Sequence, residues 1–430
     1  MNQTSATSWR NWSGYVAAQP KGLIKPGNQD ELSVAITTAP GPVRIAGTGH
    51  SFTPLVKSEG TILSLDLFQG LKSHDPDKLQ ARIGAGTEIG ALTRLLQAIG
   101  QGLPNMGDID KQTFGGALAT STHGSGITLG AYPTQIEAIA ITDGKGRVRE
   151  FNRTANADAI LAMGASLGAF GAITEVTIRN MASYRLHRRR FTTPLADVLD
   201  QFHSVMTASR SAEFYYVPFS GQALFLTTDL SDAPAGVRPA EEDDDALRTL
   251  KSLRNWLKRW PWLRRRLIGS AFAKIPPEDY VADWLNVYAS ERNVKFNEME
   301  YHLPIEEGAK ALREIIALAE NKFPEVYFPV EVRVVAPDDI WLSPFHRRPT
   351  ASIAIHHDAR EDPLPYFAAA EPIFRRYGGR PHWGKMHSLK AADLAALYPR
   401  WKDAMEMRRE MDPDNRFVTP YMAQLLGVDA

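Results

Sequence analysis

The chain has 430 residues, too many for one ordinary hydrophobic core, so two or three domains are expected. Its 49 basic residues balance 49 acidic ones, which argues against general nucleic-acid binding. The absence of cysteine excludes disulfides, thiolate metal sites and cysteine nucleophiles, and fits a reducing compartment.

The first residues, Met1 to Ala6, are polar and lack the basic-then-apolar pattern of a secretory signal. No uninterrupted apolar run approaches the ~20 residues of a membrane span. A cytoplasmic protein is the expectation. Trp9 to Tyr15 sets three aromatics in a polar context and reads as an arm packed on the body. Residues 28–38 read as a helix with acidic residues in its first turn. Residues 42–46 form a strand that breaks into Gly47-Thr-Gly49 and delivers His50 directly behind. Glycine tolerates positive φ and lets backbone N–H groups approach an anion, so this loop can cradle one.

Residues 61–67 suggest a strand. Residues 80–96 suggest a strand, a glycine turn and an amphipathic helix. Gly84-Ala-Gly86 lacks the third glycine of a dinucleotide fingerprint, the next being Gly90, which discounts a nicotinamide site. A second small-residue loop, Leu103 to Gly126, interleaves hydroxyls with glycines and ends on Thr122-His-Gly-Ser-Gly126. Its amides and hydroxyls suit phosphate contact. A hairpin follows over 136–148, with Asp143-Gly144 in the turn, and then a third small-residue loop running into a strand at 163–178.

Beyond residue 183 the texture changes. Residues 184–235 suggest a strand, a helix and two more strands. The acidic run Glu241 to Asp245 abuts a basic aromatic helix over 247–267, holding Arg254, Lys258, Arg259, Arg264, Arg265 and Arg266 with Trp256, Trp260 and Trp262. Such a stretch can lie on an anionic membrane as weak peripheral contact, but a solvated helix with its tryptophans packed inward is the commoner outcome. Residues 327–335 alternate with period two, which places Glu331 and Arg333 on one strand face. Another strand, 352–357, delivers His356 or His357. Residues 380–387 are compact, aromatic and cationic, and a turn-rich tail spans 411–421. His356, His357, His382 and His387 lack the spacing of a metal hydrolase.

Taken in order, Gly47-Thr-Gly-His-Ser-Phe, Gly107-Asp-Ile-Asp-Lys-Gln-Thr, Gly115-Gly, Thr122-His-Gly-Ser-Gly, Glu331-Val-Arg and His382-Trp-Gly-Lys resemble the vanillyl-alcohol-oxidase superfamily of flavoproteins. More narrowly, the chain is similar to the aldonolactone oxidases and alditol oxidases. The resemblance implies an α+β fold. A two-subdomain FAD-binding domain would span 1–182, joined by a C-terminal return at 408–430, with an antiparallel-sheet substrate domain at 183–407. It assigns cofactor contacts to Ile45, Ala46, Gly47, Thr48, Gly49, His50, Ser51, Gly107, Thr113, Gly116, Thr120, Thr122, His123, Gly124, Ser125, Ile173 and His382. A covalent bond from His50 to the flavin 8α-methyl group is implied as well.

The same resemblance puts Glu331, Arg333, His356, Lys385 and Asp108 in the catalytic cavity. Glu331 and Arg333 would bind substrate hydroxyls or a carbonyl, and Lys385 would stabilise the anionic reduced flavin. Asp108 stands where alditol oxidases present a serine, which favours a lactone or another polyol-derived substrate over an alditol. Gly107 matches a position that controls dioxygen's approach to flavin, so an oxidase yielding hydrogen peroxide is expected. The alternatives are an alditol (xylitol or sorbitol) oxidase and a lactone dehydrogenase using another acceptor.

Overall fold

The computed structural model describes residues 2–3, 8–239, 243–257, 259–289 and 293–429. Three sheets organise the chain. Near the N-terminus, the strands Gly22–Lys25, Thr61–Ser64 and Val43–Ala46 run parallel, with Asn2–Gln3 added antiparallel at one edge. The helix Gln29–Thr38 crosses over between two of them. The Asn28 side chain caps it by accepting the Glu31 amide at 2.9 Å, as an asparagine before an acidic first turn should. Its Leu32, Ala35 and Ile36 pack with Val43, Leu63 and Phe417 in a small separate core.

The second sheet has five antiparallel strands in the order Val148–Asn152, Ile136–Thr142, Ala172–Arg179, Gln80–Gly84, Leu71–Asp75. The helix Ile89–Ala98 packs Ile89, Leu92 and Leu96 on it. The second small-residue loop contains only a six-residue helix, Phe114–Ala119, wedged where side chains would not fit. A Cβ on Gly115 would meet the Ala85 Cβ at 2.9 Å.

The third sheet is antiparallel and eight-stranded, in the order Glu278–Asp283, Arg185–Pro194, Gln222–Leu230, Ser211–Tyr216, Val330–Val335, Thr350–Asp358, Phe296–Pro304, Arg380–Pro381. The helices Ile305–Lys322 and Leu364–Arg376 contribute to the core on one of its faces, through Leu312, Ile315, Phe367 and Phe374. The other face carries polar side chains, described below.

The basic aromatic stretch departs from expectation. It is two helices, Asp243–Trp256 and Pro261–Phe272, because Pro261 cannot continue a preceding helix and instead starts a new one. Nor do the tryptophans turn inward: Trp256, Trp260 and Trp262 are 83%, 52% and 66% exposed. The inward anchors are Leu250, Ile268 and two buried arginines. Arg254 forks onto Glu361 with both contacts at 2.9 Å, while Arg264 donates to the Val326 carbonyl at 3.0 Å and lies over the Phe219 ring. Lys258 and the acidic Glu241 and Glu242 lie outside the described residues. Among the described residues, no helix is long and apolar enough to cross a membrane.

Candidate active site

Two cavities are lined by the residues singled out in the sequence. The first is a cleft of about 970 Å³, solvent-open part included. Ile45, Ala46, Gly47, Thr48, Gly49, His50 and Ser51 line it from the first loop, Thr113, Gly116 and Thr120 from the second, and Ile173 from the third. Backbone shape explains the glycines. Gly49 has φ +78°, and a Cβ on Gly47 would lie 2.1 Å from the Thr113 hydroxyl oxygen. Among the described residues, the consecutive amides of Thr48, Gly49, His50 and Ser51 find no protein acceptor. Unmet amides at a cleft wall suit the diphosphate of a dinucleotide such as FAD, so the residues present fit that cofactor.

His50 sits at one end of this cleft. Trp12 of the N-terminal arm stacks on its ring at 5.9 Å, with an interplanar angle of 18°. The Thr48 hydroxyl, 3.1 Å from Nδ1, also donates to the Lys111 carbonyl at 2.7 Å. Burial, reinforced by the Lys385 charge and opposed by Asp110, pulls the imidazole pKa down to about 4. A neutral ring keeps a nucleophilic nitrogen at neutral pH.

The second chamber, about 1580 Å³ with its open part, is built on the polar face of the eight-stranded sheet. Register makes it. Glu213 and Tyr215 face Arg333 and Glu331 on the neighbouring strand. Arg333 in turn faces Ser352, and His356 faces Glu298. Period-two alternation therefore stacks these groups side by side at the ~4.8 Å strand spacing. Arg333 bonds Glu331, reaches Glu213 at 2.9 Å and Asp108 at 3.4 Å. The Tyr215 hydroxyl donates to Glu331 at 2.9 Å. Lys385 is bonded to Glu298 and lies 5.1 Å from the Phe52 ring centre. His356 donates Nδ1–H to the Pro329 carbonyl at 2.8 Å and turns Nε2 toward Glu298 at 3.6 Å.

The electrostatics are unbalanced. Three carboxyls crowd Arg333. Burial, with Asp108 and Glu213 adding to it and Arg333 opposing, lifts Glu331 from 4.5 to about 8. Arg333 is held firmly charged, because these carboxylates outweigh its desolvation. Lys385 is also raised, its burial overcome by Glu298 and Glu300.

The structure brings Glu331, Arg333, His356, Lys385 and Asp108 into one cavity, and gathers eleven of the seventeen expected cofactor contacts in the cleft. It places the other six, Gly107, Thr122, His123, Gly124, Ser125 and His382, outside the cleft lining. Ser125 stitches the second loop to the large sheet, donating to the Ala212 carbonyl and accepting the Val334 amide at 3.2 Å. His123 is buried between Glu300, at 3.0 Å from Nε2, and the Gly124 carbonyl, at 2.8 Å from Nδ1. The His382 ring lies 6.0 Å away and accepts the Gly384 amide. His357 points to the other face of its strand, as alternation requires, and packs near Tyr366.

His123, Glu300 and His302 hold ligand atoms within 4.8 Å of one another, a different set from the four histidines weighed in the sequence. Both ring nitrogens of His123 already lie against oxygen atoms of the protein, Glu300 and the Gly124 carbonyl.

Sequence reasoning missed Glu213, Tyr215, Glu298 and Glu300. The alternation of Glu298, Glu300 and His302 on one strand was a usable signal. It also missed Arg44, Gly86 and the third loop's Ser166 to Gly168, which line the cleft.

A dinucleotide cleft opening beside a carboxylate-rich cavity defines the class: an FAD-dependent oxidoreductase. Comparison with known proteins narrows it. The D-arabinono-1,4-lactone oxidase family matches residues 176–425 and the FAD binding domain family residues 20–152. An L-gulono-1,4-lactone dehydrogenase from Mycobacterium tuberculosis is 32% identical over 97% of this chain and 99% of its own. An alditol oxidase from Streptomyces is 27% identical over 98% and 99%, and the Mus musculus L-gulonolactone oxidase 26% over 97% and 98%. Cholesterol oxidase from B. sterolicum shares the fold, with a TM-score of 0.77 at 16% identity, covering 99% of this chain and 97% of that one. The chain belongs to the D-arabinono-1,4-lactone oxidase family.

Proposed function

We propose that this enzyme oxidises a CH–OH group of a sugar lactone to the carbonyl level and passes the two electrons to dioxygen, releasing hydrogen peroxide. The observation that carries the reading is one cavity in which a single sheet face presents Glu331, Arg333 and His356, with Asp108 of the second loop and Lys385 beside them. Bound FAD supplies the hydride acceptor, with the Thr48 to Ser51 amides suited to its diphosphate and His50 to a covalent tether. Arg333 binds the substrate oxygen where negative charge develops, held in place by Glu213 and Asp108. Glu331, with its raised pKa, takes the hydroxyl proton. His356, donating to the Pro329 carbonyl through Nδ1 and turned toward Glu298 through Nε2, adds a polar wall to the cavity beside the substrate. Lys385 brings positive charge to the cavity and Glu298 holds it there. Asp108, an acceptor-only group when ionised, suits the hydroxyls of a lactone ring. Relatives named lactone oxidases and lactone dehydrogenases support the substrate class.

The test is anaerobic addition of L-gulono-1,4-lactone, D-arabinono-1,4-lactone and xylitol, followed by air. Bleaching of the flavin band by a lactone and its return in air, with peroxide formed, is expected. Bleaching by xylitol alone would make this an alditol oxidase. Because a 32%-identical relative is named a dehydrogenase, slow return in air alongside fast reoxidation by an artificial acceptor is the outcome that would replace oxidase with dehydrogenase. His50 is tested separately: yellow fluorescence should stay with the denatured polypeptide on an acid gel and vanish in His50→Ala.

A further inference from the structure

The two helices Asp243–Trp256 and Pro261–Phe272 meet at an elbow, and three tryptophans project from it into solvent. Large exposed indoles are uncommon on a soluble surface, and a cluster of three marks a contact site. The elbow is not a frayed loop. Arg254 is clamped to Glu361 and lies over Tyr327, Arg264 is inserted beneath over Phe219, and Ile268 is buried. The same anchoring that roots the inner face therefore fixes Trp256, Trp260 and Trp262 outward. Arg259 and Arg266 are exposed beside them, and Leu267 is 44% exposed. Arg265 adds a third guanidinium, bridged to Glu320 at 2.6 Å.

We propose that this elbow docks the enzyme on the surface of an anionic lipid bilayer. Indoles partition to the interface between headgroups and acyl chains, and arginines beside them meet lipid phosphates. The described acidic side chain of the Glu241 to Asp245 run, Asp245, is at the far end of the first helix, about 16 Å along its axis from Trp256. The elbow itself thus keeps its positive sign. A second copy of the chain fits less well as the occupant, since a twofold contact would set this cationic patch against itself. The inner faces of the same helices, through Leu247, Leu250 and Phe272, line the substrate cavity. Docking would hold the wall of that cavity against the bilayer.

The test uses full-length holoenzyme and vesicles of phosphatidylcholine with or without phosphatidylglycerol. Co-sedimentation with the mixed vesicles is expected, weakened by salt and accompanied by a blue shift of tryptophan emission. Each arginine near an anionic surface contributes about fivefold in partitioning, so Arg259→Glu with Arg266→Glu should weaken it more than tenfold. Trp256→Ser with Trp262→Ser should weaken it comparably. Both double variants should keep the parent's melting temperature and its turnover of soluble substrate with a soluble acceptor, which separates docking from folding and from catalysis. Three results would overturn the proposal: no sedimentation with the mixed vesicles, equal binding to neutral vesicles that survives the charge reversal, or concentration-dependent self-association that shields the indoles.

Discussion

Glu331 carries the most consequential ionisation in the cavity. Its carboxyl, lifted to about 8, is mostly protonated at neutral pH in the free enzyme and sheds its proton as pH rises through that value. A base must be unprotonated to act, so kcat/KM should climb with pH toward a plateau above about 8. Glu331→Gln should lower kcat by about 10² to 10⁴ and abolish that inflection in a pH–rate profile. Under the oxidase reading, Gly107 bears on a different step, the reoxidation. An added Cβ there would stand 3.0 Å from the His123 carbonyl oxygen, tight but adjustable. Under the oxidase reading, Gly107→Ala should slow reoxidation by air while anaerobic flavin reduction by substrate keeps its rate, as stopped-flow absorbance can show. One pairing of the cavity is local in the sequence. Glu331 and Arg333 stand two apart on one strand. Their partners Tyr215 and Glu213 are 116 and 120 residues away, and only strand register brings them across.

At the scale of elements, the parallel strand Val43–Ala46 shows how a loop is held rather than merely formed. Arg44, fully buried, donates to the carbonyls of Leu55 at 2.6 Å, Gly168 at 2.9 Å, Phe417 at 2.8 Å and Leu167. It joins the first glycine loop to the third small-residue loop and the C-terminal tail. Burial lowers its pKa to about 10, with Asp412 opposing, so it stays charged at neutral pH. Arg44→Leu strands four carbonyls and should cost about 3–5 kcal/mol. A denaturant melt would show the loss, and weaker flavin retention should accompany it. This clasp was not legible in the sequence, because an arginine inside a strand pattern ordinarily reads as an exposed position. Period-two alternation, by contrast, read the large sheet well at 352–357 and, within 327–335, at Val330–Val335, the strand starting after Pro329. The 247–267 stretch was read as one helix because the tryptophans supplied apolar spacing across Pro261, and the proline's veto was not applied.

For the whole molecule, the decisive connection is the tail. The Val43 amide donates to the Arg416 carbonyl at 2.9 Å, and the Arg416 guanidinium reaches the carbonyls of Ile36, Ala39 and Gly41. The last 14 residues of the described chain also bury Phe417, Val418, Met422, Leu425 and Leu426. Fully burying a side chain of this size contributes roughly 1.5–3 kcal/mol, so the five together are worth up to about 8–15 kcal/mol. A typical domain has only about 5–15 kcal/mol of net stability. Deleting 412–430 should therefore unfold the nucleotide-binding body rather than trim it. The shortened chain should lose the near-ultraviolet circular dichroism of packed aromatics and emerge from gel filtration without yellow colour. A truncated protein that stayed folded and yellow would show that the parallel sheet and its helix Gln29–Thr38 stand without Phe417, contrary to the packing that joins them.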